Sequence, residues 1–150
     1  MKGFTFRLQK VLDNRERVED EKKISFVKSK NAYLKEMQKL GELKDELEGY
    51  ILKPRANYSS VSEYLIMYNY ISSLEAKIQV QFDIVKTRED EMESKKAQFE
   101  ESRKDRKVLD KLKENAFREF NISFERLEQK QNDEFALGGY VRKLMQNERR

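Results

Sequence analysis

The sequence holds no cysteine, no histidine, one proline and five glycines in 150 residues. Without cysteine, disulfides and thiol chemistry are excluded, and without histidine the commonest metal ligand and general base is missing. Scarcity of proline and glycine removes the residues that break a chain into turns, so little besides continuous helix fits. Long hydrophobic runs are lacking as well. The longest is "YLIMY", residues 64–68, far short of the ~20 residues that cross a bilayer. The opening "MKGFTFRLQKVLDNRE" is interrupted by Thr5, Arg7 and Lys10, which leaves no apolar segment for a signal peptide. These absences lead to the expectation of a soluble, cytosolic protein.

A one-sided charge is also absent. There are 32 basic and 28 acidic residues, a net charge of +4, and no concentrated basic face of the kind that binds nucleic acid. What is present is charge of both signs: Asp, Glu, Lys and Arg make up 40% of the chain, against roughly 25% in ordinary globular proteins. Such a chain cannot fill a thick core. Disorder is the competing class for a composition this polar, and regular apolar spacing argues against it.

One apolar ladder steps by sevens through Leu12, Phe26, Tyr33, Leu40 and Leu47, broken only by Glu19, with Leu8, Val11, Val18, Ala32, Met37 and Leu43 beside it. It predicts an amphipathic helix over about 4–52. The stretch "KPRANYSS", 53–60, ends it: Pro54 removes an amide donor and restricts Lys53, and Ser60 followed by Glu63 reads as a capping box opening the next helix. A second ladder, Tyr64, Ile71, Ile78, Val85, Met92 and Phe99, joined by Leu74 and Phe82, is unbroken. Glu91 with Lys95 and Glu100 with Lys104 support its solvated face. This helix is expected over about 61–137, stopped by Gly138 and Gly139, with a basic tail over 138–150.

Long helices joined by a short turn fold back on each other. The fold class is therefore all-α: two long helices forming an antiparallel coiled-coil hairpin, the second longer and projecting past the first, in a single domain spanning 1–150. Centring the pairing beside Pro54 sets Leu47 against Tyr64, Leu40 against Ile71, Tyr33 against Ile78, Phe26 against Val85 and Leu12 against Phe99. Phe4 then falls opposite Lys107, and shifts of a heptad either way satisfy the same two ladders. In that register the first helix ends beside Arg106 and Lys107, which explains why charge enters the seam there.

Apolarity resumes at Leu109, Leu112, Ala116, Phe117, Phe120, Phe124 and Leu127, along a lone helix that is marginal in water. The stretch from Leu109 to Leu127 is expected to dock another protein. Folding back as a third helix, or pairing with a second copy, would satisfy the same pattern. Near the turn, Tyr50, Tyr58, Tyr64, Leu65, Ile66, Met67, Tyr68, Tyr70 and Ile71 exceed what one seam needs. This surplus marks either a second contact patch or a cap on the coiled coil.

Enzymatic chemistry finds no support. No Gly-x-x-x-x-Gly-Lys-Ser/Thr loop is present, carboxylates on charged helices form a solvated face rather than a tuned pair, and no metal or cofactor site has diagnostic spacing. The chemistry to explain is recognition.

Two stretches resemble the flagellar export protein FliJ family. "FTFRLQKVLDNRE" is similar to its opening, with Phe4, Phe6, Leu8, Gln9, Val11, Leu12 and Arg15 in place; "RKDRKVLDKLKE" followed by "DEFA" is similar to its carboxy-terminal signature at Arg103, Lys107, Leu109, Leu112, Lys113, Asp133, Glu134 and Ala136. Asp110 stands where the family more often has Glu, and residues 20–100 match in pattern only. The resemblance implies a non-enzymatic stalk and chaperone of the flagellar type III export apparatus. Its partners would be the hexameric export ATPase FliI, the export gate protein FlhA and export chaperones. It also implies a cytoplasmic location, peripheral at the inner face of the cell membrane. On this reading Phe4, Phe6, Arg103, Arg106, Lys107, Leu109, Leu112, Phe117 and Phe120 dock the ATPase, and Tyr50, Tyr64, Met67, Tyr68 and Ile71 dock the gate. The isolated chain is expected to be a monomer. A stalk subunit of a virulence secretion system or rotary ATPase, and a self-assembling scaffold, are the other readings.

Overall fold

The computed structural model describes residues 3–54 and 57–148. Arg55 and Ala56 of the expected turn, and Arg149 and Arg150 of the expected tail, lie outside the described residues. Two helices account for nearly everything else: α1, Gln9–Ile51, of 43 residues, and α2, Val61–Asn147, of 87 residues. The fold is an all-α hairpin with no strand among the described residues.

The helix limits differ from the sequence reading at two places, the start of α1 and the end of α2. Gly3 to Phe6 are not helical, and α1 opens after a turn at Arg7 and Leu8. Gly138 and Gly139 do not stop α2, which continues to Asn147. Neither glycine has positive φ, so neither makes the left-handed turn that ends a helix. Each instead costs about 1 kcal/mol of helix propensity relative to alanine, a cost that a long helix carries without breaking. The Arg142 Nε–H donates to the Gly138 carbonyl at 3.2 Å, adding a local tie. At the start of α2 the expected cap forms with one change. The Glu63 amide donates to the Ser60 hydroxyl at 3.2 Å, but the Glu63 carboxylate accepts from Ser59 rather than Ser60, at 2.8 Å.

The chain divides into two compact units, residues 17–103 and residues 1–16 with 104–150. The first has a sparse core. Its buried residues are Leu40, Leu74, Val85, Gln81 and Ser102. The helices run antiparallel there, because Tyr50 meets Tyr70 (5.1 Å between ring centroids) while Phe26 meets Phe99 (6.1 Å, rings nearly parallel). Both pairs correct the expected register, which set Phe26 against Val85. Lys22 with Gln98 and Glu36 with Gln81 are displaced the same way, toward later residues of α2. The reason lies at the turn. Tyr64 packs edge-on against Tyr58 at 5.9 Å, and the Tyr58 hydroxyl contacts the Met67 sulfur. The first turns of α2 are thus spent on the connecting segment instead of on Leu47.

The second unit is antiparallel as well. Leu12 is its buried residue, at 2% exposure, Arg15 reaches Asp105 at 3.1 Å, and Phe4 reaches Phe117 and Phe120.

Candidate functional surfaces

In the unit made from both ends of the chain, an aromatic cluster forms where the N-terminal segment meets α2. The Phe4 ring stands edge-on to Phe117 (centroids 5.2 Å apart) and tilted against Phe120 (5.6 Å), and Phe120 stacks on Phe124 at 6.4 Å. Contacts of this kind are worth about 0.5–1.5 kcal/mol each beyond the area they bury. Phe4 was expected opposite Lys107. Two effects carry it further: the displaced register, and the non-helical backbone of residues 3–6, which can span up to about 3.3 Å per residue against 1.5 Å in a helix.

Arg106 consequently does not mark the end of the pairing. It lies on the inward face, 28% exposed, with its guanidinium bonded to Asp110 at 2.6 Å. Lys113, seven residues on, is also half-buried. A long charged side chain can occupy such a position by covering apolar surface with its aliphatic stem. The bare helix expected from Leu109 begins later, because Leu109, Ala116, Phe120 and Phe124 are half-buried. Past Phe124 every described residue but Gly138 is exposed. Leu127, Phe135, Leu137, Tyr140, Val141, Leu144 and Met145 are large apolar side chains left in water there.

Of the residues assigned to the ATPase-docking end, Phe4, Phe6, Arg106, Lys107, Leu109, Leu112, Phe117 and Phe120 fall in this unit, and Arg103 falls in the other. Leu112 and Phe117 are about half exposed and Lys107 is exposed, whereas Phe4, Phe6, Leu109 and Phe120 are half-buried. The carboxylate of Glu114 is held below the usual range by the Lys111 ammonium 2.7 Å away. The run from Leu137 to Met145, which reads in the sequence as the start of a basic, weakly amphipathic tail, is helical with its large apolar side chains exposed. Its signal was the spacing of Leu137, Tyr140, Val141, Leu144 and Met145, which the glycine pair obscured.

The unit that carries the turn presents the other surface. Tyr50, Tyr64, Met67 and Ile71 are half-buried, and Tyr68 is exposed. Tyr50 is packed on Tyr70 and covered by the Lys53 ammonium at 4.5 Å. The Tyr70 hydroxyl donates to Glu46, and that bond raises the phenol above its ordinary range. The same unit leaves Ile51, Leu52, Val61, Leu65 and Ile66 exposed as well.

Among the described residues no acidic cluster could hold a metal ion, and no helix is long and apolar enough to cross a membrane. The arrangement is one of two apolar surfaces on a polar coiled coil. Comparison with known proteins agrees with the resemblance in its two terminal stretches and extends it: the family model described as flagellar FliJ protein matches residues 4–144. No match to a curated protein or to a solved structure accompanies it. The match spans nearly the whole chain, including the middle that agreed only in pattern, and on it the chain belongs to the flagellar FliJ protein family, a component related to flagellar export.

Proposed function

We propose that the chain is a non-catalytic coiled-coil stalk of the flagellar type III export apparatus. The unit built from both chain ends docks in the hexameric export ATPase FliI, and the unit carrying the turn meets the export gate protein FlhA. Export chaperones are further partners, and the chain works in the cytoplasm at the inner face of the membrane, held there through the apparatus. The observation that carries this reading is the aromatic cluster of Phe4, Phe117, Phe120 and Phe124 followed directly by exposed helix. Burial of a large apolar side chain is worth about 1.5–3 kcal/mol. A ring lumen that covered Leu112, Phe117 and Leu127, each about half exposed, would gain part of that for each.

The chemistry is non-covalent. Apolar side chains from α2, with Lys107 beside them, bias the interfaces between ring subunits, favouring assembly and faster ATP turnover without touching nucleotide. The test is ATPase activity of FliI with wild-type chain, with Phe117→Ala/Phe120→Ala and with Leu112→Ser. Leu112 is exposed and takes no part in the aromatic cluster, so its variant separates docking from folding. Reduced stimulation by both variants is the expected result. Undiminished stimulation by both removes this surface from the mechanism.

A further inference from the structure

On α1 a third apolar stripe faces away from the seam and shares no residue with the two surfaces described above. Ile24, Val27, Asn31 and Leu34 follow a three-four spacing, which places them on one side of a helix. All four are exposed, Ile24 at 68% and Leu34 at 51%, while Phe26, Ser29 and Tyr33 on the opposite side are half-buried. A shallow groove lies along the stripe, lined by Asp20, Lys23, Ile24, Val27, Lys28 and Asn31.

Charge is mixed along the chain as a whole but not here. From Lys22 to Lys35 there are five lysines and no acidic residue. Lys28 and Lys35 directly follow Val27 and Leu34 along one flank of the stripe, and Lys23 and Lys30 directly precede Ile24 and Asn31 along the other. In a heptad frame these are the positions that flank an apolar seam and choose its partner. All four flanking lysines are exposed, and none has an ion pair among the described residues.

What covers such a stripe follows from its charge. A second copy of the same stretch would bring lysine rows against lysine rows in either direction, which like-charge repulsion opposes. Membrane-surface helices offer a broad apolar face rich in Trp, Phe and Leu, whereas this stripe is narrow, holds no aromatic side chain and has Asn31 in its middle. A helix with an apolar seam and glutamates on both flanks meets every requirement. It buries Ile24, Val27 and Leu34, pairs the lysines, and sets a polar residue against Asn31 to fix the register. Asp20 and Gln38, the next positions of the frame, are polar and confine the contact to residues 23–35, about 18 Å of helix.

We infer that residues 23–35 of α1 bind an acidic amphipathic helix of another protein, through the stripe from Ile24 to Leu34 and its two lysine rows. The site is independent of the ring-docking and gate-docking readings and stands if both fail.

The test is a fluorescence-anisotropy titration of the full chain into a labelled synthetic peptide of three heptads, with isoleucine and one asparagine at the first positions, leucine at the fourth and glutamate on both flanks. This peptide should bind, whereas its lysine-flanked counterpart and a scrambled glutamate peptide should not. Ile24→Ser and Leu34→Ser should each weaken binding about tenfold. Lys23→Glu/Lys28→Glu/Lys30→Glu/Lys35→Glu should invert the preference, so that the lysine-flanked peptide binds instead. All six positions are exposed, and circular dichroism of each variant checks that helix content is retained. Failure of the glutamate-flanked peptide to bind overturns the inference, as does equal binding of its scrambled form, which is charge attraction alone. Binding unchanged by the serine variants or by the lysine replacement overturns it too, because the peptide is then seated elsewhere. In a parallel flotation assay with vesicles of phosphatidylserine and phosphatidylcholine in equal parts, a chain that floats through Ile24 and Leu34 without binding the peptide assigns the stripe to a membrane and overturns the inference.

Discussion

Gln81 holds Glu36 across the seam with one amide. Its Nε2 lies 2.7 Å from the Glu36 carboxylate and 3.0 Å from the Glu36 carbonyl, and Gln81 is among the few buried residues of its unit. A polar residue buried between apolar layers is tolerated when it is hydrogen-bonded and costly when it is not. This contact also fixes register, since a slide by one heptad would set Gln81 against a different side chain. Replacing Gln81 with Ala removes the donor and leaves space. Thermal unfolding should then show the midpoint lowered by roughly 5 °C.

The same contact predicts a pH dependence. The Glu36 carboxyl is held below its ordinary value first by the Gln81 hydrogen bond and then by Lys39. A carboxyl whose folded pKa is depressed binds its proton more readily when unfolded, so its contribution is complete above the ordinary value of about 4.5 and is lost as pH falls through the folded one. Thermal midpoints measured between pH 6 and pH 3 should therefore fall more steeply for wild type than for Glu36→Gln. Parallel curves would show that the contact contributes nothing in solution.

At the alkaline side the sign reverses. Tyr70 is raised because its hydroxyl donates to Glu46, an interaction that ionisation would destroy. A group with a raised folded pKa contributes fully below its ordinary value, here 10.0, and loses that contribution as pH climbs through the folded one. Tyr70→Phe should flatten the loss of stability above pH 10, measured by urea unfolding in alkaline buffer. An identical decline in both proteins would count against the bond.

The two helices were legible because heptad spacing is a local property: Tyr64 to Phe99 keeps its period regardless of what it packs on. The register was not. Two sevenfold ladders align equally well after any heptad slide, and the choice was made by Tyr58, which captures Tyr64 and contacts Met67. Arg106 was misread for a related reason. A charged residue at a seam position marks an end only if its stem has nothing to cover, and here it lies along an inward face with Asp110 binding its head. The surfaces were legible in type, aromatic and apolar near each terminus of α2, but not residue by residue. Seam-facing tyrosines and exposed ones differ only in rotation about the helix.

Gly139 tests the reading of these glycines as helix interior. A Cβ built there meets nothing within 4 Å, and at Gly138 it meets only Arg142 at 3.9 Å. Alanine therefore adds helix propensity of about 1 kcal/mol at either position without a steric cost. Gly139→Ala should increase the far-ultraviolet helical signal and slow proteolysis after Arg142 and Lys143. If the pair ended the helix instead, alanine would leave both measurements unchanged.

Arg15 separates folding from recognition. It stands in one of the stretches that resemble the family, yet its bond to Asp105 joins two side chains that are each nearly half exposed, at 45% and 48%. Exposed pairs of this kind contribute between about 0 and 1 kcal/mol, because solvent screens the attraction and ordering two long side chains opposes it. Arg15→Ala and Asp105→Ala should thus shift the thermal midpoint by no more than a few degrees, and the double variant should match either single one. If Arg15→Ala nevertheless impairs swimming in soft agar while Asp105→Ala does not, the guanidinium serves a partner rather than the hairpin. Equal impairment by both would instead assign the residue to holding the N-terminal segment on α2.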